Sequence, residues 1–505
     1  MLSRRRHGPS HTAHSAQQPP APALRLPVEL LSRVFLLGFD NGIDPRYPFK
    51  RRPLEPTTTF EVLVSHVCHH WRSVALHTPC LWTSIRLRKG SHITRAKTFL
   101  KRSQSVLLDV FLEIVAPHDH ISGHTLSLAE LDDAFDTITP HSSRWSSFIV
   151  RVNDMESKEA ARRHLRRYLP IPSLKTMQLW HLEDWGTAQN LWASNTRPPV
   201  PLFYKQELNI RHVSLVGINL LWAQSGYLSG LTQLELALHS EAVRPSGEDW
   251  ETIMRNCPDL ERLSLHYSGP RAHLISPERA VALLRLTNLS LTDIDLDVVL
   301  QLIRQMEMPN VRALKLELPD QDFSPLFHRL SKPDHIVFPH LERLCITALD
   351  CEPDPWRAFL ACTSSITRLE MDFRRVPVDL FEALLTNVPS PGPFSDIHGE
   401  SLCVVRLPSL QELKVAGLPS NGLTKFVSFR ADAGYPVPRC WVHHKLRNEA
   451  TDSLSTQTEV EYFVYSDDDD DADDDDDECS YREVASGDLV SEKELLMRNP
   501  VRHSD

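Results

Sequence analysis

Three histidines, His66, His69 and His70, fall in a segment whose apolar spacing predicts a helix. Imidazoles this close are a common start of a metal site. No carboxylate or cysteine completes the set at a ligand spacing, so the three read as exposed helix histidines. The nine cysteines are odd in number and include no C-x-x-C pair, which points away from a disulfide framework or a zinc site and towards a reducing compartment. No phosphate-binding glycine loop, G-x-S-x-G, dinucleotide fingerprint or H-E-x-x-H occurs. The expected catalytic, cofactor-binding and metal-binding sets are therefore empty, and the chain is read as a non-catalytic protein.

Bulk composition narrows the class further. At 505 residues the chain exceeds the usual size of a single core, so two or more domains or a linear array are expected. Proline outnumbers glycine by 37 to 17, which predicts short, stiff connections. The net charge of −11 comes entirely from residues 467–478, ten aspartates and Glu478, so the remainder is neutral and gives no case for nucleic-acid binding.

Elements come next. Residues 1–22 are polar and rich in Pro, Ser and His, and are expected to be disordered. Leu26, Leu30, Val34 and Leu37 then recur as one stripe of a helix, with Pro27 and Glu29 at its start and Gly38 as its stop. A proline-rich insert, 39–56, breaks the chain. Thr58 and Glu61 have capping-box spacing, and Phe60, Leu63, Val67, Trp71 and Val74 predict one further helix running to Thr78. Thr78-Pro79 can start a short third helix holding Leu81 and Trp82. Leu31, Phe35, Leu36, Val62 and Leu81 lie off the main stripes and need cover of their own.

The strings L-P-x-E-L-L-x-x-V-F, V-C-x-x-W-R-x-x-A and P-x-L-W-x-x-I, within residues 24–85, resemble the F-box in the form common in basidiomycete fungal proteins. The long proline-rich insert departs from compact versions. The resemblance implies that Leu26, Pro27, Leu30 and Val34 contact the Skp-type adaptor of a cullin–RING ubiquitin ligase. It implies that Val67, Cys68, Trp71, Leu81 and Trp82 belong to the same hydrophobic seam.

Beyond Ile85 a pattern L-x-x-L-x-L recurs nine times, from Leu174/Met177/Leu179 to Leu410/Leu413/Val415, after a degenerate Trp145/Phe148/Val150. From Ile210 onward the copies are spaced by 21, 29, 26, 25, 30, 25 and 44 residues, mostly close to leucine-rich-repeat periods. Helix-like stretches at 250–256 and 298–306 lie between them. The expected fold is α+β: a helical F-box bundle over 23–85, then an irregular leucine-rich-repeat α/β solenoid over 86–449. A possible last strand lies in 450–465, and 466–505 form an acidic disordered tail.

Alternation along each strand turns the residues between and beside the core leucines outward, towards the expected concave face. Arg343, Arg368, Glu370 and Lys414 are the candidate target-binding residues there. The combined expectation is a substrate-receptor subunit of a Skp–cullin–F-box type ubiquitin ligase. It would dock a Skp-type adaptor and cullin scaffold through the helices and hold an unknown protein substrate on the repeat surface. A non-ligase leucine-rich-repeat scaffold is the alternative. No cofactor, nucleic acid or membrane is expected. The N-terminus lacks the apolar core of a secretory signal, and no 18-residue apolar run exists, so a cytoplasmic or nuclear location is expected. A mitochondrial transit peptide is the lesser alternative, and Arg4-Arg5-Arg6 and Lys50-Arg51-Arg52 are weak nuclear-import candidates.

Overall fold

Fourteen strands, all parallel to their neighbours, follow one another across a single sheet in chain order. The computed structural model describes residues 26–39, 59–167, 169–182, 199, 202–203, 208–271, 280–332, 336–385, 388–389, 403–418 and 420–464. The expectations for 1–22, for the proline-rich insert after Phe39, for the two basic clusters and for the acidic tail lie outside them.

The strands are β1 (Ser84–Leu87), β2 (Leu108–Ile114), β3 (Trp145–Val152), β4 (Thr176–His181), β5 (His212–Val216), β6 (Gln233–Ala237) and β7 (Arg262–His266). They continue as β8 (Asn288–Thr292), β9 (Ala313–Asp322), β10 (Arg343–Asp350), β11 (Arg368–Asp372), β12 (Glu412–Ala416), β13 (Arg439–His443) and β14 (Glu459–Phe463). The last of these falls in the segment where a final strand was expected.

This corrects the expected α+β arrangement of a helical bundle followed by an irregular leucine-rich-repeat solenoid. The chain is α/β, dominated by one 14-stranded parallel sheet. The sheet already begins at Ser84, inside the segment read as the helical module, and β1 pairs with β2 in unbroken register. Nor does the helical module have a core of its own. Leu31, Phe35, Val64 and Trp82 belong to the same buried cluster as Leu263 and Leu413. The leucine pattern marks where strands lie, but it does not report their hydrogen-bonded neighbours.

A parallel neighbour needs a connection long enough to carry the chain back, usually through a helix. Helices α1 (Val28–Gly38), α2 (Phe60–His66) and α3 (His69–Leu76) precede the sheet. Helices α4 (Ser91–Arg102), α5 (Leu128–Ile138) and α6 (Met155–Leu165) serve the first strands. Then come α7 (Gly247–Arg255), α8 (Leu296–Gln305), α9 (Ser324–Leu330), α10 (Pro353–Cys362), α11 (Asp379–Glu382), α12 (Ser420–Asp432) and α13 (Glu449–Ser453). Their starts are legible locally: Ser127 and Glu130 form a capping box at α5, and the Asp154 carboxylate accepts from Ser157 N at 2.8 Å to cap α6.

Every leucine-pattern triplet from Leu174 to Val415 is buried, as is the earlier Trp145/Phe148/Val150. Helix side chains such as Val298, Leu302, Trp356 and Phe426 pack into the same core. Beyond the strand ends the backbone ladder continues. Gly217, Leu238, Tyr267 and Asp293 follow β5 to β8 with φ between +44° and +62°. Each donates its N–H to the next strand at 2.9 Å, so the left-handed turn keeps the ladder in step. Arg430 is buried to 1 % exposure and donates to the carbonyls of Tyr435, Arg406 and Leu407 at 2.8–3.1 Å. Burial lowers its pKa to about 10.

The predicted second helix is in fact two. Cys68 breaks it, with φ −160°, and its Sγ accepts from Trp71 N at 3.4 Å to cap α3. Among the described residues no helix is long and apolar enough to cross a membrane.

Leu263 in β7 and Leu284 before β8 are chemically identical but oppositely placed, at 1 % and 57 % exposure. Leu263→Ala is expected to cost about 2–5 kcal/mol, and Leu284→Ala to stay within about 0.5 kcal/mol. Urea unfolding of the two variants beside the parent chain checks both.

Candidate functional site

The first candidate surface is built on α1 and α2. Helix α1 is apolar nearly all round, and two adjacent stripes compete for its inner face. Leu31 and Phe35 take it, Phe35 meeting Trp71 of α3 at 5.0 Å between ring centroids. The stripe that the spacing picked out is turned outward: Leu30 is 53 %, Val34 49 % and Leu37 80 % exposed. Leu63 of α2 and Val67 after it are 54 % and 58 % exposed. Gly38 at the end of α1 is dictated by close approach, since a Cβ there would lie 2.6 Å from the Phe60 ring of α2.

Of the nine residues assigned to the adaptor seam, Pro27, Leu30, Val34 and Val67 are open to solvent. Leu26, Cys68 and Trp71 are half-buried. Leu81 and Trp82 are not surface residues at all. Both are fully buried, and the Trp82 indole donates to Ala75 O at 2.9 Å and meets Phe99 of α4 edge-on at 5.0 Å. They join the helices to the sheet, which removes them from any contact with a partner.

His66 closes α2 while His69 and His70 open α3, so the three histidines do not share a helix. Among the described residues no group of three His, Cys, Asp or Glu side chains converges as a metal site.

The second candidate surface is the sheet face turned away from the leucines. Parallel pairing aligns its outward residues in rows, with Arg343 beside Arg368, Arg368 beside Glu412 and Glu412 beside Arg439. Glu370 and Lys414 are spent on each other at 2.5 Å, and the Lys414 ammonium also sits 4.6 Å over the Phe463 ring. Arg368 reaches Glu412 at 3.5 Å, and Arg439 reaches Glu412 at 3.5 Å and Glu459 at 3.1 Å. Of the four predicted target-binding residues, Arg343 is the exposed cation, and no carboxylate pairs with it among the described residues.

A second apolar cluster on this face escaped the sequence reading: Phe111, Ile149, Trp180, Val216, Ala237 and Leu238, all buried. Its signal was present in F-L-E-I of β2 and F-I-V-R-V of β3, near-continuous apolar runs of the kind found where both faces of a strand are covered. Beside it, Trp180 Nε1 donates to Ser214 Oγ at 2.8 Å, and Ser214 Oγ donates to Glu235 at 2.6 Å. Burial raises the Glu235 pKa against that hydrogen bond. An open cleft of about 410 Å³ between α5 and α6, lined by Leu128, Asp132, Glu156 and Arg163 among others, belongs to neither predicted surface.

No protein-family model matches the chain, and a search of curated proteins finds none that matches it.

Two histidines of this region give the fold an acid limit. Burial, reinforced by Arg262, lowers His212 to about 4. Burial, reinforced by Arg244, lowers His239 to about 3. A folded-state pKa below the unfolded value near 6.5 means that the unfolded chain binds the proton first. Stability is complete above about pH 6.5 and falls as the pH drops towards 4. At pH 5 each histidine is expected to cost about 2 kcal/mol. Urea midpoints for parent and His239→Gln at pH 7 and pH 5 check this, the variant losing less on acidification.

Proposed function

We propose that the chain is the substrate-receptor subunit of a Skp–cullin–F-box type ubiquitin ligase. The observation that carries the reading is the outward apolar stripe Leu30, Val34 and Leu37, joined by Leu63 and Val67, within the segment that resembles an F-box. Large apolar residues grouped on one face of a helix are costly to leave wet and mark a surface made to be covered. The occupant is a Skp-type adaptor, and the sheet face holds a protein target. The subunit's contribution to catalysis is proximity, which raises the effective concentration of a target lysine near the charged ubiquitin carrier. No residue of the chain takes part in the chemistry.

One observation favours a second reading, a protein-interaction scaffold without a ligase. The helices share their core with the sheet through Leu81 and Trp82, so they also serve as the lid on its first edge. Adaptor binding separates the two readings.

Leu30→Asp/Val34→Asp is expected to abolish co-purification of a Skp-type adaptor from cells while leaving the thermal midpoint within a few degrees of the parent, because both side chains are exposed. Undiminished co-purification rejects the ligase reading. Arg343→Glu/Arg368→Glu is expected to weaken target capture and leave adaptor binding intact, since like charge across an interface can cost several kcal/mol. Paired pull-downs of adaptor and target from the same lysate measure both.

A further inference from the structure

From β7 to β10 the outward sheet face changes character. Arg262 and Ser264 of β7 lie beside Asn288 and Ser290 of β8. Those lie beside Ala313 and Lys315 of β9, which in turn flank Arg343 and Cys345 of β10. None of these eight positions carries a carboxylate, and all eight are half-buried or exposed. The face is closed towards β6 by the Glu235 side chain and towards β11 by the Glu370–Lys414 pair. In the next row Glu317 is already paired with Arg375 at 2.7 Å. On the rim Arg312 pairs with Glu342 at 2.5 Å, and Glu261 precedes Arg262. Three cations thus frame a floor of small side chains, a shape and charge suited to an extended acidic segment.

The chain carries such a segment. Its described part ends at Val464, next to β14, and the acidic run begins three residues later at Asp467 and continues to Glu478. Phe463, the last residue of β14, lies on the same face of the sheet, under Lys414 and against His443 at 5.4 Å. Adjacent strands are about 4.8 Å apart, so β10 is about 19 Å and β7 about 34 Å from β14 along the sheet. Thirteen residues beyond Val464 reach up to about 43 Å. The basic stretch around α4, thirteen strand spacings or about 62 Å away, is beyond the run's reach.

We propose that residues 467–478 dock in the window of Arg262, Lys315 and Arg343, so that the chain's own tail competes with whatever acidic segment a target brings to that face. Moving inward from β14, the tail first crosses cations already neutralised by Glu412, Glu459 and Glu370. Arg343 is the first exposed one it meets with no carboxylate partner among the described residues. Tethering makes the encounter intramolecular, at an effective concentration on the order of millimolar, and salt weakens it. The inference does not depend on what the helical surface binds.

Zero-length carbodiimide coupling of the full chain, which joins a carboxylate to a touching lysine, tests it directly. The expected product is a tail peptide joined to Lys315 in the monomer fraction. Its yield should fall at least fivefold in Arg262→Glu/Arg343→Glu and at 0.5 M salt (about a threefold contraction of the screening length relative to 0.05 M). Coupling to Lys425 or Lys445 without Lys315, coupling only in dimers, or a yield unchanged in the double variant overturns the proposal. A second arm replaces the ten tail aspartates with Asn and titrates a fluorescent twelve-residue poly-aspartate peptide. Affinity at least tenfold above that of the parent chain, lost again on Arg343→Glu, supports self-docking. Equal affinity for parent and neutralised chains means that the window is open to partners and the tail does not occupy it, which overturns the proposal.

Discussion

Because each strand runs parallel to the one before it, the chain must travel back across the molecule after every strand. That single constraint accounts for most of the architecture. The returns are long, they carry apolar helices, and those helices cover the face on which the leucines sit. The opposite face is left to side chains that alternate with the leucines. Even the turn after β5, β6, β7 and β8 obeys it, since a residue with positive φ is what lets the departing chain give one more N–H to its neighbour.

The two faces then divide the labour unevenly along the sheet. From β2 to β6 the outward side carries a buried apolar cluster set among polar residues such as Asp109, Gln178 and His212, with Trp180, Ser214 and Glu235 linked beside it. From β11 to β14 it is a lattice of ion pairs, each charge answered by a neighbour one strand away. The pairs open to solvent, such as Arg439 with Glu459, contribute little to stability, typically less than about 1 kcal/mol each. Their effect is on recognition, because a charge already answered offers less to an incoming partner than one that is not. Arg343 is for this reason more open to an incoming charge than Glu370 or Lys414.

Strand positions were legible because burial of alternate leucines leaves a mark every few residues, and the buried triplets from Leu174 to Val415 carry it. The full extent of the sheet, and its start inside the N-terminal segment, were not legible, since backbone pairing between distant segments has no signature in side-chain spacing. Strands β1, β2 and β13 carry no leucine triplet and went unread. In α1 the spacing alone did not say which of two stripes turns inward. Leu30 and Val34 form as good a stripe as Leu31 and Phe35, and it is the tertiary core, with Trp71 against Phe35, that takes the second pair. Leu81 and Trp82 were placed at a surface because the motif they belong to is a binding motif. Their burial against Ala75 and Phe99 is a tertiary fact that the motif does not contain.

A sheet built by adding parallel strands one after another has no geometric reason to stop, and its last strand offers a ready template for another chain. Among the described residues nothing pairs with the far side of β14. That strand carries Glu459 and Glu461, and the eleven acidic residues of 467–478 come close behind. Two molecules approaching by these edges meet like charge before they can exchange a hydrogen bond. Glu459 and Glu461 on the strand itself thus work against its extension by a second copy of the chain.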